Sequence, residues 1–142
     1  HYGTRRQRQM CIRDSVCGRR PPHIPIDNLR HQAPNDILIS TLREYGGTPE
    51  AVLQNQELME LFLPVLRADF TLNEKYIYFP EAPLEFPIVA FRGTNDMEVN
   101  LQKLSQWEQY TISNFTLHEF PGGHMFFQKE PKTLIEKILK FL

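Results

Sequence analysis

An α/β fold built on a parallel sheet is the class this sequence predicts, and three observations predict it. Ile88-Val89-Ala90-Phe91 and Phe115–Phe120 have the length of strands, and the first is wholly apolar, as a strand buried on both faces should be. Each run leads into a glycine-containing turn that carries a titratable residue, Gly93-Thr94-Asn95-Asp96 and Gly122-Gly123-His124. Helical patterns lie between and after the two runs, so strand and helix alternate. That alternation implies right-handed crossovers and parallel pairing.

The elements follow in order. His1 to Ser15 has no apolar period and carries four arginines. A basic arm for nucleic acid is one reading of it; an extension foreign to the domain is the preferred one, and the segment is set aside for fold reasoning. From Val16 the chain becomes protein-like. Gly18-Arg19-Arg20-Pro21-Pro22-His23 is a turn, because its prolines forbid a helix or central strand. Asp36 to Tyr45 spaces Ile37, Leu38, Thr41, Leu42 and Tyr45 as a helix, ended by Gly46-Gly47. Thr48 is expected as an N-cap with Pro49 at the first helical position, giving a short helix to Leu53. A longer helix runs from about Glu57 to Glu74, with Leu58, Phe62, Val65, Leu66 and Phe70 at helical steps, Met59, Leu61 and Leu63 widening the apolar surface, and Pro64 expected to bend it. Pro80 to Pro87 is a linker. After the first strand, Leu101, Leu104 and Trp107 mark an amphipathic helix reaching toward Tyr110. Thr133 to Leu142 closes the chain as a helix with Leu134, Ile135, Ile138, Leu139 and Leu142 on one side.

Composition excludes several functional classes. The 142 residues suffice for one modest domain, with an ordinary 41% apolar and 23% charged content. A formal net charge of -1 gives no electrostatic case for nucleic acid or a membrane surface. No apolar run approaches the roughly 20 residues that span a bilayer, and no signal peptide is seen. Cys11 and Cys17 suit neither a disulfide framework nor a zinc site, so no metal is expected and a reducing, cytoplasmic setting is the default.

Asp96 and His124 both fall on loops after consecutive strands, at the sheet edge where open α/β sheets bind ligands. An acid and then a histidine is the order of the last two members of an α/β-hydrolase triad. Such a histidine takes the proton of a hydroxyl nucleophile while the carboxylate holds the imidazole in one tautomer. Glu98 and Glu119 compete with Asp96 for the acid role. His118 reads as a strand residue, and His23 and His31 sit in turns with no partner suggested. No G-x-S-x-G elbow occurs, and Ser15, Ser40, Ser105 and Ser113 lack its flanking glycines. Cys17 is not on an elbow either. The reading is therefore a truncated α/β-hydrolase fold, its C-terminal strands and helices, whose nucleophile is expected before residue 1.

From about Val16 to Leu142 the chain resembles the type II thioesterases of nonribosomal peptide and polyketide synthesis. The resemblance is carried by Gly18-Arg19-Arg20-Pro21-Pro22-His23, Gly46-Gly47-Thr48-Pro49, Leu63-Pro64-Val65-Leu66-Arg67-Ala68-Asp69-Phe70, Gly93-Thr94-Asn95-Asp96 and Phe120-Pro121-Gly122-Gly123-His124. It implies hydrolysis of acyl thioesters on the phosphopantetheine of acyl or peptidyl carrier protein domains, with no metal or redox cofactor and a monomeric parent. It implies that Asp96 and His124 are triad acid and base. The region from about 36 to 78 would be a helical lid, with Leu58, Phe62, Leu66 and Phe70, together with Met125, toward the acyl group.

Three readings follow. The first is an enzyme fragment, inactive alone. The second is a carrier-binding module without chemistry, which has no need for a matched acid and base. The third is a hydrolase of ordinary esters, against which the lid motif speaks.

Overall fold

The computed structural model describes residues 13–26 and 28–141. In chain order these form β1 (Asp14–Cys17), a 3-10 turn (Arg30–Gln32), α1 (Asn35–Tyr45), α2 (Glu50–Leu53) and α3 (Gln56–Glu74). Then come β2 (Ile88–Gly93), α4 (Leu101–Ser105), a 3-10 turn (Gln106–Tyr110), β3 (Phe115–Phe120), a 3-10 turn (Phe126–Gln128) and α5 (Pro131–Leu139). Two units result: a sheet unit up to Pro21 and from Pro80 onward, and a helical unit, Pro22–Phe79.

The sheet has the order β1-β2-β3 and is parallel throughout, as strand–helix alternation predicts. Central β2 is buried at every residue, which its unbroken apolar run required. Successive side chains of a strand point to opposite faces. Val89 and Phe91 accordingly pack on one face with Phe126 and Leu134, while Ala90 packs on the other with Val99 and Leu104. His118, opposite Phe91 in register, is a strand residue as expected, and it stacks on the Phe91 ring at 5.7 Å between centroids.

β1 reaches into the segment set aside as an extension. Asp14 and Ser15 pair with Ile88 and Val89, so the boundary placed at Val16 falls inside a strand. Four residues leave too little room for an apolar period to announce it. The remainder of the segment read as foreign, His1–Ile12, lies outside the described residues. Downstream, the helix expected to run toward Tyr110 is split into α4 and the 3-10 turn. Asn100 caps α4, its Oδ1 accepting from Lys103 N at 2.8 Å. Trp107, in the 3-10 turn, donates from its indole to the Arg19 carbonyl at 2.7 Å, tying this turn to the segment after β1. α5 starts two residues before Thr133, at Pro131, whose fixed φ suits a first helical position. Leu134 is buried and Ile138 packs on it, whereas Ile135 and Leu139 are exposed. Leu142 lies outside the described residues.

In the helical unit α1 ends at Gly46, left-handed at φ 72°, whose N–H returns to the Leu42 and Arg43 carbonyls. α2 departs from expectation: Pro49, not Thr48, occupies the N-cap position, without a side-chain cap. Asn55 caps α3 by accepting from Leu58 N at 3.0 Å, and the helix continues through Pro64. The core takes one side of the broad apolar surface expected for α3, the side of Met59 and Leu63. Met59 and Leu63 join Leu38, Leu42 and Leu53, with Leu66 and Phe70 packed against them. Leu58 is only partly buried, and Phe62 and Val65 are 49% and 57% exposed. Met59, Leu63, Leu66 and Phe70 recur at four, three and four residues, so they too satisfy helical spacing. His31 also has a partner: its ring and backbone N–H both meet the Glu74 carboxylate, which accepts from Arg30 N as well, at 2.7 Å.

Candidate active site

Three glycines bring the carboxyl ends of the strands together. Gly93 ends β2, and a Cβ there would lie 2.1 Å from the Gly123 carbonyl oxygen, so only glycine allows the acid turn and the histidine turn to touch. Gly122 takes φ 135°, a conformation other residues avoid. Gly18, at φ 55°, follows β1, and a Cβ on it would meet His124 Cε1 at 3.6 Å and Asp96 Oδ2 at 3.7 Å. Backbone bonds stitch the two turns: Thr94 N donates to Phe120 O and Asn95 N to Gly122 O, each at 2.8 Å.

Both carboxylate oxygens of Asp96 are held. Its Oδ1 accepts from Glu98 N at 2.9 Å and Val99 N at 3.1 Å. Its Oδ2 lies 3.0 Å from His124 Nδ1. The carboxylate side chain is fully buried, the imidazole 25% exposed. An ionised carboxylate only accepts, so Nδ1 carries the proton and Nε2 is the basic nitrogen. Burial pushes the Asp96 carboxyl up, but the His124 hydrogen bond, the two backbone donors and the imidazolium charge outweigh it and hold it below its ordinary value. The hydrogen bond to Asp96 raises the His124 pKa against burial, helped by the charges of Asp96 and Glu98.

Of the competing acids, Glu98 enters through its backbone N–H and its charge, and Glu119 pairs with Arg92. Cys17, at the end of β1, is exposed, yet desolvation raises its thiol pKa, the opposite of an activated nucleophile. Met125 directly follows His124 and is half-buried. Leu58, Phe62, Leu66 and Phe70 belong to the helical unit. The sequence reading missed Gly18 and Arg92. The signal for Arg92 was a charge at the end of an otherwise apolar strand, Ile88–Gly93. Nothing in the sequence flagged Gly18 as a neighbour of His124, because it is brought there by the register of β1. Among the described residues no cluster of three or more His, Cys, Asp or Glu could hold a metal ion. No helix among them is long and apolar enough to cross a membrane.

Known proteins share this arrangement of strands and helices. The solved thioesterase RedJ, from the prodiginine biosynthetic pathway of Streptomyces coelicolor, superposes with a TM-score of 0.85 at 29% identity, over 92% of this chain and 52% of that one. YbtT, a type II thioesterase from the yersiniabactin NRPS/PKS biosynthetic pathway, gives 0.80 at 28% identity, over 96% and 56%. The gramicidin S biosynthesis protein GrsT of Aneurinibacillus migulanus is 41% identical over 128 residues, 89% of this chain and 50% of its own length. The chain thus spans about half the length of the relatives it matches. Residues 15–142 match the thioesterase domain, and the chain belongs to that family.

Proposed function

We propose that the protein carrying this chain hydrolyses acyl thioesters held on the phosphopantetheine of acyl or peptidyl carrier protein domains, as an editing enzyme of nonribosomal peptide or polyketide synthesis. The observation that carries the reading is the His124 Nδ1–Asp96 Oδ2 contact of 3.0 Å at the carboxyl edge of a parallel sheet. In this reading His124 Nε2 takes the proton of a hydroxyl nucleophile as it attacks the thioester carbonyl. The C–S bond breaks, the phosphopantetheine sulfur leaves with that proton, and an acyl-enzyme remains. Water then attacks with the same histidine as base, releasing the acid and the free hydroxyl. Asp96 orients the imidazole and stabilises its cationic form without taking the proton.

The sequence has no elbow serine, so in this proposal the nucleophile and the oxyanion hole come from residues outside these 142. The 142-residue chain alone is then inactive, since the groups that lower the barrier most are elsewhere. The substrate-covering role of α3 belongs to the same proposal. The apolar side chains of Phe62 and Val65, 49% and 57% exposed, support it as surface that an acyl chain could meet.

The test is hydrolysis of an acyl-phosphopantetheinyl carrier protein, and of a matched oxygen ester, by the full-length protein and by the purified 142-residue chain. Preferential thioester cleavage by the former and none by the latter is expected. Turnover by the isolated chain that a His124→Ala substitution abolishes would overturn the outside-nucleophile part. Equal rates on the oxygen ester would overturn the thioesterase part.

A further inference from the structure

Arg92 is a charged residue in the central strand, with a side chain only 8% exposed. Its Nε donates to the Gly93 carbonyl at 3.0 Å and its Nη2 to the Thr94 carbonyl at 2.9 Å. The Gly93 oxygen is also the acceptor that closes the acid turn, taking the Asp96 N–H at 3.1 Å. One oxygen therefore receives both the turn's own bond and a charged donor. Thr94 is gripped twice, its carbonyl by Arg92 and its N–H by Phe120 O. The remaining Nη1 lies 3.4 Å from Glu119 Oε1, on the residue opposite Arg92 in the β2–β3 register.

We propose that Arg92 is a positioning residue whose guanidinium fixes the Gly93–Asp96 turn, and through it the orientation in which Asp96 meets His124. The proposal rests on the reading of His124 as base given above. Stability alone does not call for an arginine here. A buried charge must be desolvated, and well-packed apolar residues commonly replace buried ion pairs without loss. What the guanidinium supplies is geometry: a rigid planar fork that reaches two successive carbonyls at once, which the point charge of lysine does not match. The two carbonyls it reaches lie in the turn that ends at Asp96.

The experiment compares Arg92→Lys, Arg92→Gln and Glu119→Gln with the wild type in the full-length protein. It measures thioester turnover, thermal unfolding and the titration of the His124 ring by NMR. Displacing a catalytic group by an ångström costs about 10²-fold. A folded Arg92→Lys or Arg92→Gln is expected to lose kcat on that scale, with KM within about twofold, the mark of an interaction made in the transition state. The His124 midpoint is expected to fall toward that of free histidine. Glu119→Gln leaves both carbonyl contacts in place and removes only a 3.4 Å contact to a carboxylate that is itself 41% exposed, so it is expected to keep kcat within about threefold. A lowered melting temperature with kcat and the His124 midpoint unchanged would assign Arg92 to stability and overturn the proposal. So would failure of both arginine variants to fold, or a Glu119→Gln loss as large as that of Arg92→Lys. The underlying reading fails separately: a His124→Gln protein with wild-type turnover would sink it whatever Arg92 does to the ring titration.

Discussion

Gly93 and Gly123 approach so closely that a Cβ on the first would lie 2.1 Å from the carbonyl oxygen of the second. The contact joins the end of β2 to the turn that bears His124, and it is backbone against Cβ, which no rotamer relieves. Gly93→Ala must therefore push the two turns apart. We expect a loss of about 1–3 kcal/mol in unfolding free energy, the usual cost of overpacking. In the full-length protein thioester turnover should fall with it. Urea unfolding and steady-state assay check this; an alanine variant with wild-type stability and rate would show that the turns separate freely.

In the helical unit the Glu74 carboxylate, 1% exposed, holds the 3-10 turn before α1 by accepting from Arg30 N, His31 N and the His31 ring. Removing one acceptor strands several donors. A buried donor left unsatisfied costs about 1–3 kcal/mol. Glu74→Ala is therefore expected to lower unfolding stability by about 2 kcal/mol or more, and Glu74→Gln, which keeps one acceptor oxygen, by less. A shift in the urea midpoint reads it; equal midpoints for both variants and the wild type would contradict it.

β2 and β3, the glycine turns after them and the pairing partners Asp96 and His124 were legible because each rule behind them is local. A wholly apolar run of four residues, Ile88–Phe91, has few options but a strand buried on both faces, and a glycine turn after it must face the sheet edge. What was not legible depends on register or on choice among equals. β1 is too short to show a period, so by sequence alone Asp14 and Ser15 read as part of the extension. α3 carries apolar residues on two adjacent stripes, and periodicity cannot say which meets the core. Arg92 was hidden because burying a guanidinium needs acceptors that only the folded turn supplies.

The two stripes of α3 make a paired prediction. Leu63 is 6% exposed in the core, Phe62 49% exposed beside it. Leu63→Ala should cost about 2–5 kcal/mol of stability, as a core truncation does. Phe62→Ala should change stability by no more than about 0.5 kcal/mol, as a surface substitution does. In the proposed lid role, it should instead raise KM for a long acyl thioester in the full-length protein. Unfolding curves on both variants, with KM on the second, check it. A Phe62→Ala cost equal to that of Leu63→Ala would mean that both sides of the apolar surface carry the stability of α3.

The Asp96–His124 pair predicts a pH window whose sign follows from its two shifts. The His124 pKa is raised above its ordinary 6.5, so its contribution to stability is complete below 6.5 and is lost as pH rises through the higher folded value. The Asp96 pKa is lowered below 3.8, so its contribution is present above 3.8 and is lost as pH falls through the lower folded value. The pair stabilises most between those limits. Catalysis needs the opposite protonation of His124, because only neutral imidazole acts as a base. The acidic limb of kcat/KM in the full-length protein should therefore have its midpoint above 6.5. Asp96→Asn removes the charge and the acceptor that raise the ring's pKa. It should move that midpoint down and lower kcat on the order of 10⁴-fold, since the amide also permits the wrong tautomer. A pH–rate profile on wild type and variant reads both effects. A midpoint unmoved by Asp96→Asn would mean that the acid limb belongs to another group.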